Sequence, residues 1–297
     1  GGGGAGASPL TRAINEPDLG TQGYADSAMV DPEGGSGKGG VLTVALASAS
    51  AYALTYCWRY PVFILPSSVS GVHVMTLGGH SFDLQGCMSV AFTVGFGVGK
   101  VPAMALVTSP LFFRHRLKSI LAMLISSAAI EGVGVWLFSS VPWLVVLSVF
   151  VSSIISSAIF GAIVTYLEGR QATEALLAVM TGMFIFAGNL SRSFGQMVLN
   201  MGAPPTSMPL ILAATTCPIS CWLLVCMDAA PKPSAEDVAM RTARAPMTNA
   251  EKIAFLREWW LGIMPLVFAY ASTTGVRAFR DLYAKQVRWA SPSPQTR

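Results

Sequence analysis

The chain has 297 residues, of which 53% are hydrophobic and only 11% are charged, with a net charge of +4. A soluble domain of this length carries roughly 25% charged residues, whereas the mean hydropathy here is +0.56. Several apolar runs of about 20 residues would have no place in a soluble fold. The composition therefore excludes a soluble protein and predicts an all-α polytopic membrane protein.

The first forty residues are rich in Gly, Ser, Asp and Pro and show no apolar periodicity. This composition predicts a disordered tail over residues 1–40. Under the orientation that the basic residues favour, this tail lies in the cytoplasm.

Seven apolar segments follow, each long enough for an α-helical span. We predict a six-helix transmembrane bundle over residues 41–227, a polar cytoplasmic loop over 228–258, and a seventh helix with a basic tail over 259–297. The predicted spans are residues 41–65, 84–107, 119–138, 143–167, 173–199, 208–227 and 259–276.

The basic residues favour one orientation of the chain. With a cytoplasmic N-terminus, the inner segments carry eleven Lys and Arg residues, and the outer loops at 66–83, 139–142 and 200–207 carry none. This positive-inside pattern predicts a cytoplasmic N-terminus in a multi-pass protein of the cell membrane. The eleven are Arg12, Lys38, Arg114, Arg116, Lys118, Arg170, Lys232, Arg241, Arg244, Lys252 and Arg257.

Four ionisable residues fall inside the predicted bundle spans, namely Arg59, Lys100, Glu131 and Arg192. A charge at the bilayer centre costs roughly 2.5–3.5 kcal/mol, so such residues face a bundle interior or a water-filled cavity. Three cations against one acid leave an excess of positive charge, which an anionic solute would offset. Two simpler interpretations stay open: Glu131 as a structural partner of Lys100 or Arg59, and Arg192 as an interfacial anchor.

The first and seventh spans share a short pattern. Tyr52 lies between two alanines and precedes Arg59 by seven residues, and Tyr270 precedes Arg277 in the same way. Seven residues are about two helical turns, so each Tyr and its Arg share one helix face. A first span similar to a seventh is what two six-helix halves related by an axis along the membrane normal would give.

Six spans, a long loop and a seventh span similar to the first resemble the major facilitator superfamily. Within it, residues 56–60 (YCWRY), residues 99–101 (GKV) and Arg277 resemble the organophosphate:phosphate antiporters. The resemblance implies that Arg59 and Arg277 bind a substrate phosphate from opposite halves, with Lys100 beside them. It also implies five more helices, so the chain is expected to be truncated after its seventh helix, its partner being a missing C-terminal half or a second copy.

Over about residues 50–287 the chain also resembles an uncharacterised family of multi-pass membrane proteins related to that superfamily. The motifs that carry this resemblance are residues 166–170 (YLEGR), 208–209 (MP), 244–247 (RAPM) and 277–281 (RAFRD). No activity follows from this second resemblance, which bears on the fold.

The predicted function is a secondary carrier of a small organic anion, such as an organophosphate or a carboxylate. The alternatives are a non-transporting scaffold or degenerate half-transporter, and a seven-helix receptor-like sensor, whose N-terminus would lie outside. No enzyme, catalytic residue, metal site, cofactor or nucleic-acid partner is expected. The predicted substrate-binding residues are Arg59, Lys100, Arg277, Tyr52 and Tyr270, and the predicted gating or structural residues are Glu131, Glu168, Arg170 and Arg192.

Overall fold

The computed structural model shows a helical membrane protein. Seven helical segments are long and apolar enough to cross a membrane, which confirms the predicted all-α polytopic class and implies contact with a lipid bilayer. Most of the predicted N-terminal tail lies outside the described part of the chain. The structure describes residues 38–61, 74–77, 80–167, 173–230 and 249–290.

The helices begin and end close to the predicted spans. The third helix begins at Leu84 because the Asp83 carboxylate accepts a hydrogen bond from the Gly86 backbone N–H at 3.2 Å and caps the helix. In chain order the elements are α1 (Lys38–Leu54), α2 (Tyr56–Arg59), β1 (Val74–Leu77), β2 (His80–Asp83), α3 (Leu84–Val107), α4 (Pro110–Arg114), α5 (Arg116–Leu137), α6 (Pro142–Leu167), α7 (Thr173–Asn200), a 3-10 turn (Pro205–Ser207), α8 (Met208–Asp228) and α9 (Asn249–Ala290).

The first span is interrupted, which its hydropathy did not predict. Helix α1 ends at Leu54, and the short helix α2 follows after Thr55. The Thr55 hydroxyl donates a hydrogen bond to the Tyr52 carbonyl oxygen at 2.7 Å, a local bond of the kind that bends helices. Thr55 itself keeps helical backbone angles, with φ −62° and ψ −22°.

Part of the predicted outer loop 66–83 forms a β-hairpin. Strands β1 and β2 pair antiparallel, with Leu77 opposite His80 and Val74 opposite Asp83. Residues 78 and 79, between the strands, are both glycine. A Gly-Gly pair between two short strands is typical of a two-residue hairpin, a signal that hydropathy over the length of a span does not contain.

The six spans of the bundle pack as two related groups of three. Helices α1 and α2 together form span 1, and α3, α5, α6, α7 and α8 form spans 2 to 6 in that order. The most extensive packing among the described helices joins span 2 with 4, 3 with 4, 3 with 6, 1 with 6 and 1 with 5. Exchanging 1 with 4, 2 with 5 and 3 with 6 converts this set of pairs into itself. In a multi-pass protein whose consecutive spans cross the membrane in alternating directions, this packing pattern is the one expected of a three-helix inverted repeat.

Helices α3 and α6 approach each other through small residues. A Cβ atom added at Gly99 would lie 2.5 Å from the Ser157 hydroxyl oxygen and 2.6 Å from the Ile154 carbonyl oxygen. One added at Gly95 would lie 2.6 Å from the Phe150 carbonyl oxygen. Lipid supplies no hydrophobic drive between helices, so such close backbone contact is what holds them together.

One polar contact joins the ends of α5, α6 and α8. The Tyr166 hydroxyl donates a hydrogen bond to Asp228 Oδ1 at 2.8 Å, and the Arg116 guanidinium lies 3.5 Å from the centre of the Tyr166 ring. One tyrosine side chain thus ties the last turn of α6 to the first turn of α5 and the end of α8.

Helix α9 differs from the other spans. Its 42 residues would extend about 60 Å, against roughly 30 Å of hydrocarbon core. Ten of these residues were predicted to belong to the polar loop 228–258. None of the residues in its most apolar window, within Ile253–Thr273, is buried, so this part of α9 takes no part in the core of the six-helix bundle.

The α3–α6 interface can be tested with two glycine variants of one helix. We expect Gly99→Ala to destabilise the protein by up to about 2 kcal/mol, because overpacking costs about 1–3 kcal/mol and alanine returns about 1 kcal/mol in helix propensity. Gly97→Ala is the matched control, since a Cβ there meets nothing within 4 Å. Thermal unfolding in detergent measures both. Equal melting temperatures for the two variants would contradict the proposed role of Gly99 in packing.

Candidate functional site

An aromatic cluster occupies the interior of the bundle around the first and second spans. Neighbouring ring centroids are separated by distances from 4.8 Å, between Tyr56 and Tyr60, to 6.2 Å, between Tyr60 and Phe92. The four-residue spacing along each helix places successive rings one turn apart on one face. The aromatic cluster comprises Tyr52, Tyr56, Tyr60, Phe92, Phe96, Phe160 and Phe184.

Arg59 is enclosed by this cluster and is only 2% exposed. Its guanidinium carbon lies 5.4 Å from the ring centre of Tyr56, 5.1 Å from Phe92 and 5.2 Å from Phe96. Such cation–π contacts contribute about 2 kcal/mol or more when desolvated. Within the described structure, however, Nε and Nη1 of Arg59 are buried without a hydrogen-bond partner. Aromatic rings thus stabilise the charge of Arg59, while its Nε and Nη1 atoms remain able to donate hydrogen bonds to a ligand.

Lys100 lies against the same cluster. Its ammonium group is 4.6 Å from the centre of the Phe96 ring, so Phe96 contacts both Lys100 and Arg59. The ammonium also donates a hydrogen bond to the Ser157 carbonyl oxygen at 3.1 Å. This bond crosses the α3–α6 interface and keeps the half-buried lysine inside the bundle.

Arg192 meets the other end of the cluster. Its guanidinium carbon lies 5.5 Å from the centre of the Tyr60 ring, and the side chain is partly exposed. All three cations of the bundle spans therefore contact one connected set of aromatic rings.

Glu131 is fully buried on α5, beside a group of serines on α6. Its Oε2 atom accepts a hydrogen bond from the Ser152 hydroxyl at 2.7 Å. Its Oε1 atom has no hydrogen-bond partner in the described structure. Ser127 links Ser152 and Ser156, at 3.1 Å and 2.6 Å between hydroxyl oxygens, and Arg59 interacts electrostatically with Glu131.

Five of the predicted residues are brought together. Arg59 interacts electrostatically with Lys100 as well as with Glu131, Arg192 contacts the same cluster, and Tyr52 belongs to it. Tyr52 meets Tyr56 at 5.6 Å between ring centroids, and Tyr56 in turn contacts Arg59. Tyr52 is therefore linked to the cation through Tyr56.

Of the remaining predicted residues, the structure describes the side chain of Tyr270 alone. Tyr270 lies on α9 with 71% of its side chain exposed, away from the aromatic cluster. The backbone of Arg277 is part of α9, but its side chain lies outside the described structure, as do Glu168 and Arg170.

The sequence analysis missed the rings that hold the cations. Tyr52, Tyr56 and Tyr60 recur every four residues around Arg59, and Phe92 and Phe96 precede Lys100 at the same spacing. Aromatic rows at helical spacing in the two spans that carry cations were a usable signal. They escaped notice because apolar and aromatic residues are abundant in every span.

The groups of this site are of kinds that can bind an anion. It offers a desolvated guanidinium, an ammonium, buried hydroxyl groups and aromatic walls. In the part of the chain that the structure describes, no three His, Cys, Asp or Glu side chains gather where they could hold a metal ion. Fold and site together define a polytopic helical membrane protein with a cationic aromatic centre.

Comparison with known families assigns the chain to one of them. Residues 73–295 match the family of unknown function DUF5690, and because the match covers most of the chain, the protein belongs to this family. No curated protein and no solved structure matches the chain. Membership agrees with the expected uncharacterised family, while the relation to the major facilitator superfamily stays a prediction.

A double-mutant cycle tests whether Arg59 and Glu131 act as a pair. Removing one partner of a buried pair costs about 3–5 kcal/mol, because the other charge is left uncompensated. We therefore expect Arg59→Gln to destabilise the wild-type protein more than it destabilises Glu131→Gln, with a coupling of about 1–3 kcal/mol. Unfolding in detergent gives the free energies. The control pair is Arg59→Gln with Glu174→Gln, since Glu174 is an exposed carboxylate at the start of α7. The two changes in unfolding free energy should add in this control. If they also add for Arg59→Gln with Glu131→Gln, the coupling is ruled out.

Proposed function

We propose that this protein is a membrane carrier of a small organic anion, of the major facilitator type, in which Arg59 and Lys100 bind the anionic group. One observation carries the proposal: a membrane-embedded arginine that is 2% exposed keeps two buried N–H-bearing nitrogens without a partner in the described structure. Burying such donors unpaired costs free energy. A site that tolerates this cost is suited to a ligand that accepts those hydrogen bonds.

The bundle architecture supports a carrier. The three-helix inverted repeat in the packing of the six spans is the arrangement found within each half of major facilitator transporters. In such folds, substrate sites lie near the bilayer midplane between repeats. Arg59 lies on span 1 and Lys100 on span 2, both in the first group of three spans. Ser157, whose carbonyl oxygen accepts the hydrogen bond from Lys100, lies on span 4, in the second group.

The two cations favour an anion with several oxygens. Arginine binds phosphate or carboxylate through two parallel hydrogen bonds, and lysine adds a compact point charge. Phe96 contacts both cations, so an anion that reaches both must displace this ring. Tyr270 and Arg277 are not needed in this proposal, which places the anion in the six-helix bundle.

Anion binding by purified protein tests the proposal. We expect inorganic phosphate, inorganic sulfate or succinate to bind the wild-type protein in lipid nanodiscs. We expect Arg59→Gln and Lys100→Gln each to weaken binding by roughly ten- to a hundred-fold, because a hydrogen bond to a charged group contributes about 1.5–3 kcal/mol. Isothermal titration calorimetry measures the affinities, and uptake into proteoliposomes measures transport.

The control variant is Lys118→Gln, a cation at the start of α5, outside the aromatic cluster, which should bind like the wild type. Binding lost equally in all three variants would indicate a diffuse charge effect. A well-folded wild type that binds none of the three anions would favour the scaffold or the sensor instead.

We further propose that the N-terminus lies in the cytoplasm and that the protein resides in the cell membrane. The support is the eleven basic residues on the proposed inner side against none in the outer loops. In intact cells, we expect a cysteine introduced at Ser139 to react with a membrane-impermeant thiol reagent and one at His115 to stay protected until the membrane is opened. The opposite labelling pattern would reverse the topology.

A further inference from the structure

Helices α3 and α7 are the two most exposed spans of the six-helix bundle. In the most apolar window of each, only 22% of the residues are buried, against 39–56% in the other four spans. The hydroxyl of the exposed Thr93 on α3 donates a hydrogen bond to the Ser89 carbonyl oxygen at 2.9 Å. Lipid can cover the rest of this surface of α3, because its exposed large side chains are apolar, namely Val90, Val94, Val98, Val101, Met104 and Leu106.

The exposed surface of α7 is different, because one of its faces is polar. Asn189, Ser193, Gln196 and Asn200 are all exposed, and their spacing of four, three and four residues places them on one side of the helix. Asn189 lies within one turn of the middle of this 28-residue helix, at the depth of the hydrocarbon core.

Part of this polar side is bonded within α7 itself. The Ser193 hydroxyl donates a hydrogen bond to the Asn189 carbonyl oxygen at 3.2 Å, and Gln196 Nε2 donates one to Asn200 Oδ1 at 3.0 Å. A side-chain amide has two donor hydrogens and an acceptor oxygen. These bonds therefore leave hydrogen-bonding capacity on Asn189 and Gln196, which lipid tails cannot satisfy.

The same face consists of small residues in its other half. Ala175, Ala178 and Gly182 are exposed, and Gly182 precedes Asn189 by seven residues, about two helical turns. A Cβ atom added at Gly182 would meet nothing within 4 Å, so no described part of the bundle packs on this glycine. In membranes, small residues let helix backbones approach and amide side chains join helices by hydrogen bonds. This face is therefore suited to contact with another transmembrane helix.

Two large apolar side chains in the middle of this face favour a packed contact over a water-filled path. Ile185 is 60% exposed and Phe186 is 74% exposed, and both lie between the small and the polar residues. Burial against a helix stabilises such side chains, whereas water does not. The Arg192 guanidinium contacts Tyr60 of its own bundle at 5.5 Å from the ring centre, so its charge lies beside this face and not in it.

We infer that the protein forms a homodimer in which this face of α7 packs against the same face of α7 in a second copy. Two copies inserted with one topology are related by a two-fold axis along the membrane normal, so each residue of the face meets its own copy at the same depth. An amide suits this contact because it both donates and accepts, whereas a charged residue would repel its copy. Parallel helix dimers use a core Asn in this way to fix their register. The dimer does not depend on anion binding, so the inference goes beyond the proposed function.

Disulfide cross-linking tests the contact at two depths. In a variant whose five native cysteines are replaced by alanine, we expect Asn189→Cys and Gln196→Cys each to give a covalent dimer on oxidation in membranes. The matched controls are Leu190→Cys and Met197→Cys, which are also exposed and lie at nearly the same depth but about 100° around the helix. We expect at least several-fold less dimer from them.

Two results of this experiment would overturn the inference. Equal cross-linking at all four positions would indicate random collision in the membrane. Rapid reaction of Asn189→Cys and Gln196→Cys with a membrane-impermeant thiol reagent would show that water, and not a second copy, covers the face.

The second test measures the association itself. Energy transfer between donor-labelled and acceptor-labelled copies in liposomes, at several protein-to-lipid ratios, gives the dimerisation constant. We expect Asn189→Leu and Gln196→Leu each to weaken association by roughly three- to thirty-fold, the range that interhelical hydrogen bonds give in membranes. Thr93→Leu, which removes an exposed polar side chain from α3, should leave association unchanged. A wild type that is monomeric at every ratio, or a dimer that Asn189→Leu combined with Gln196→Leu does not weaken, would reject this interface.

Discussion

The burial of the Arg59 guanidinium among aromatic rings is the constraint on which the rest of the site depends. A charge in a membrane span is costly, and here three ring faces within 5.4 Å replace part of its hydration. Rings stabilise a cation without satisfying its N–H groups. The charge is thereby retained in the bundle while two of its nitrogens, Nε and Nη1, have no hydrogen-bond partner in the described structure. This combination suits the proposed anion site better than a structural ion pair.

The spans themselves could be predicted because hydrocarbon thickness sets a length that hydropathy detects. Helix α3 begins at the predicted Leu84 and ends at the predicted Val107. The break at Thr55 could not be found in this way, since a threonine that bonds to its own helix has ordinary hydropathy. The same applies to the β1–β2 hairpin, whose strands are too short to register in a window of span length.

The charged residues of the candidate site were predicted from the sequence, and the aromatic residues around them were not. Arg59, Lys100 and Glu131 were recognised because ionisable residues are rare in spans. Their arrangement depends on tertiary packing: Phe96 touches both cations, and Ser152 selects one oxygen of Glu131. The contact of Phe96 with Arg59 and the bond from Ser152 to Glu131 join different helices, so neither follows from spacing within one helix. The expectation that α9 would complete the site came from a sequence pattern that Tyr52 and Tyr270 share. Tyr52 is buried in the aromatic cluster whereas Tyr270 is exposed, and a pattern within one helix does not determine such a difference in packing.

Close packing and charge placement are linked at one point of the bundle. Gly99 brings α3 so near to α6 that a Cβ would meet Ser157, and the next residue, Lys100, donates to the carbonyl oxygen of that same serine. A wider interface would carry the ammonium out of reach of this oxygen and move Phe96, one turn earlier, away from Arg59. The small residues between α3 and α6, which have no chemistry of their own, therefore determine the distance between the two cations that an anion would have to bridge.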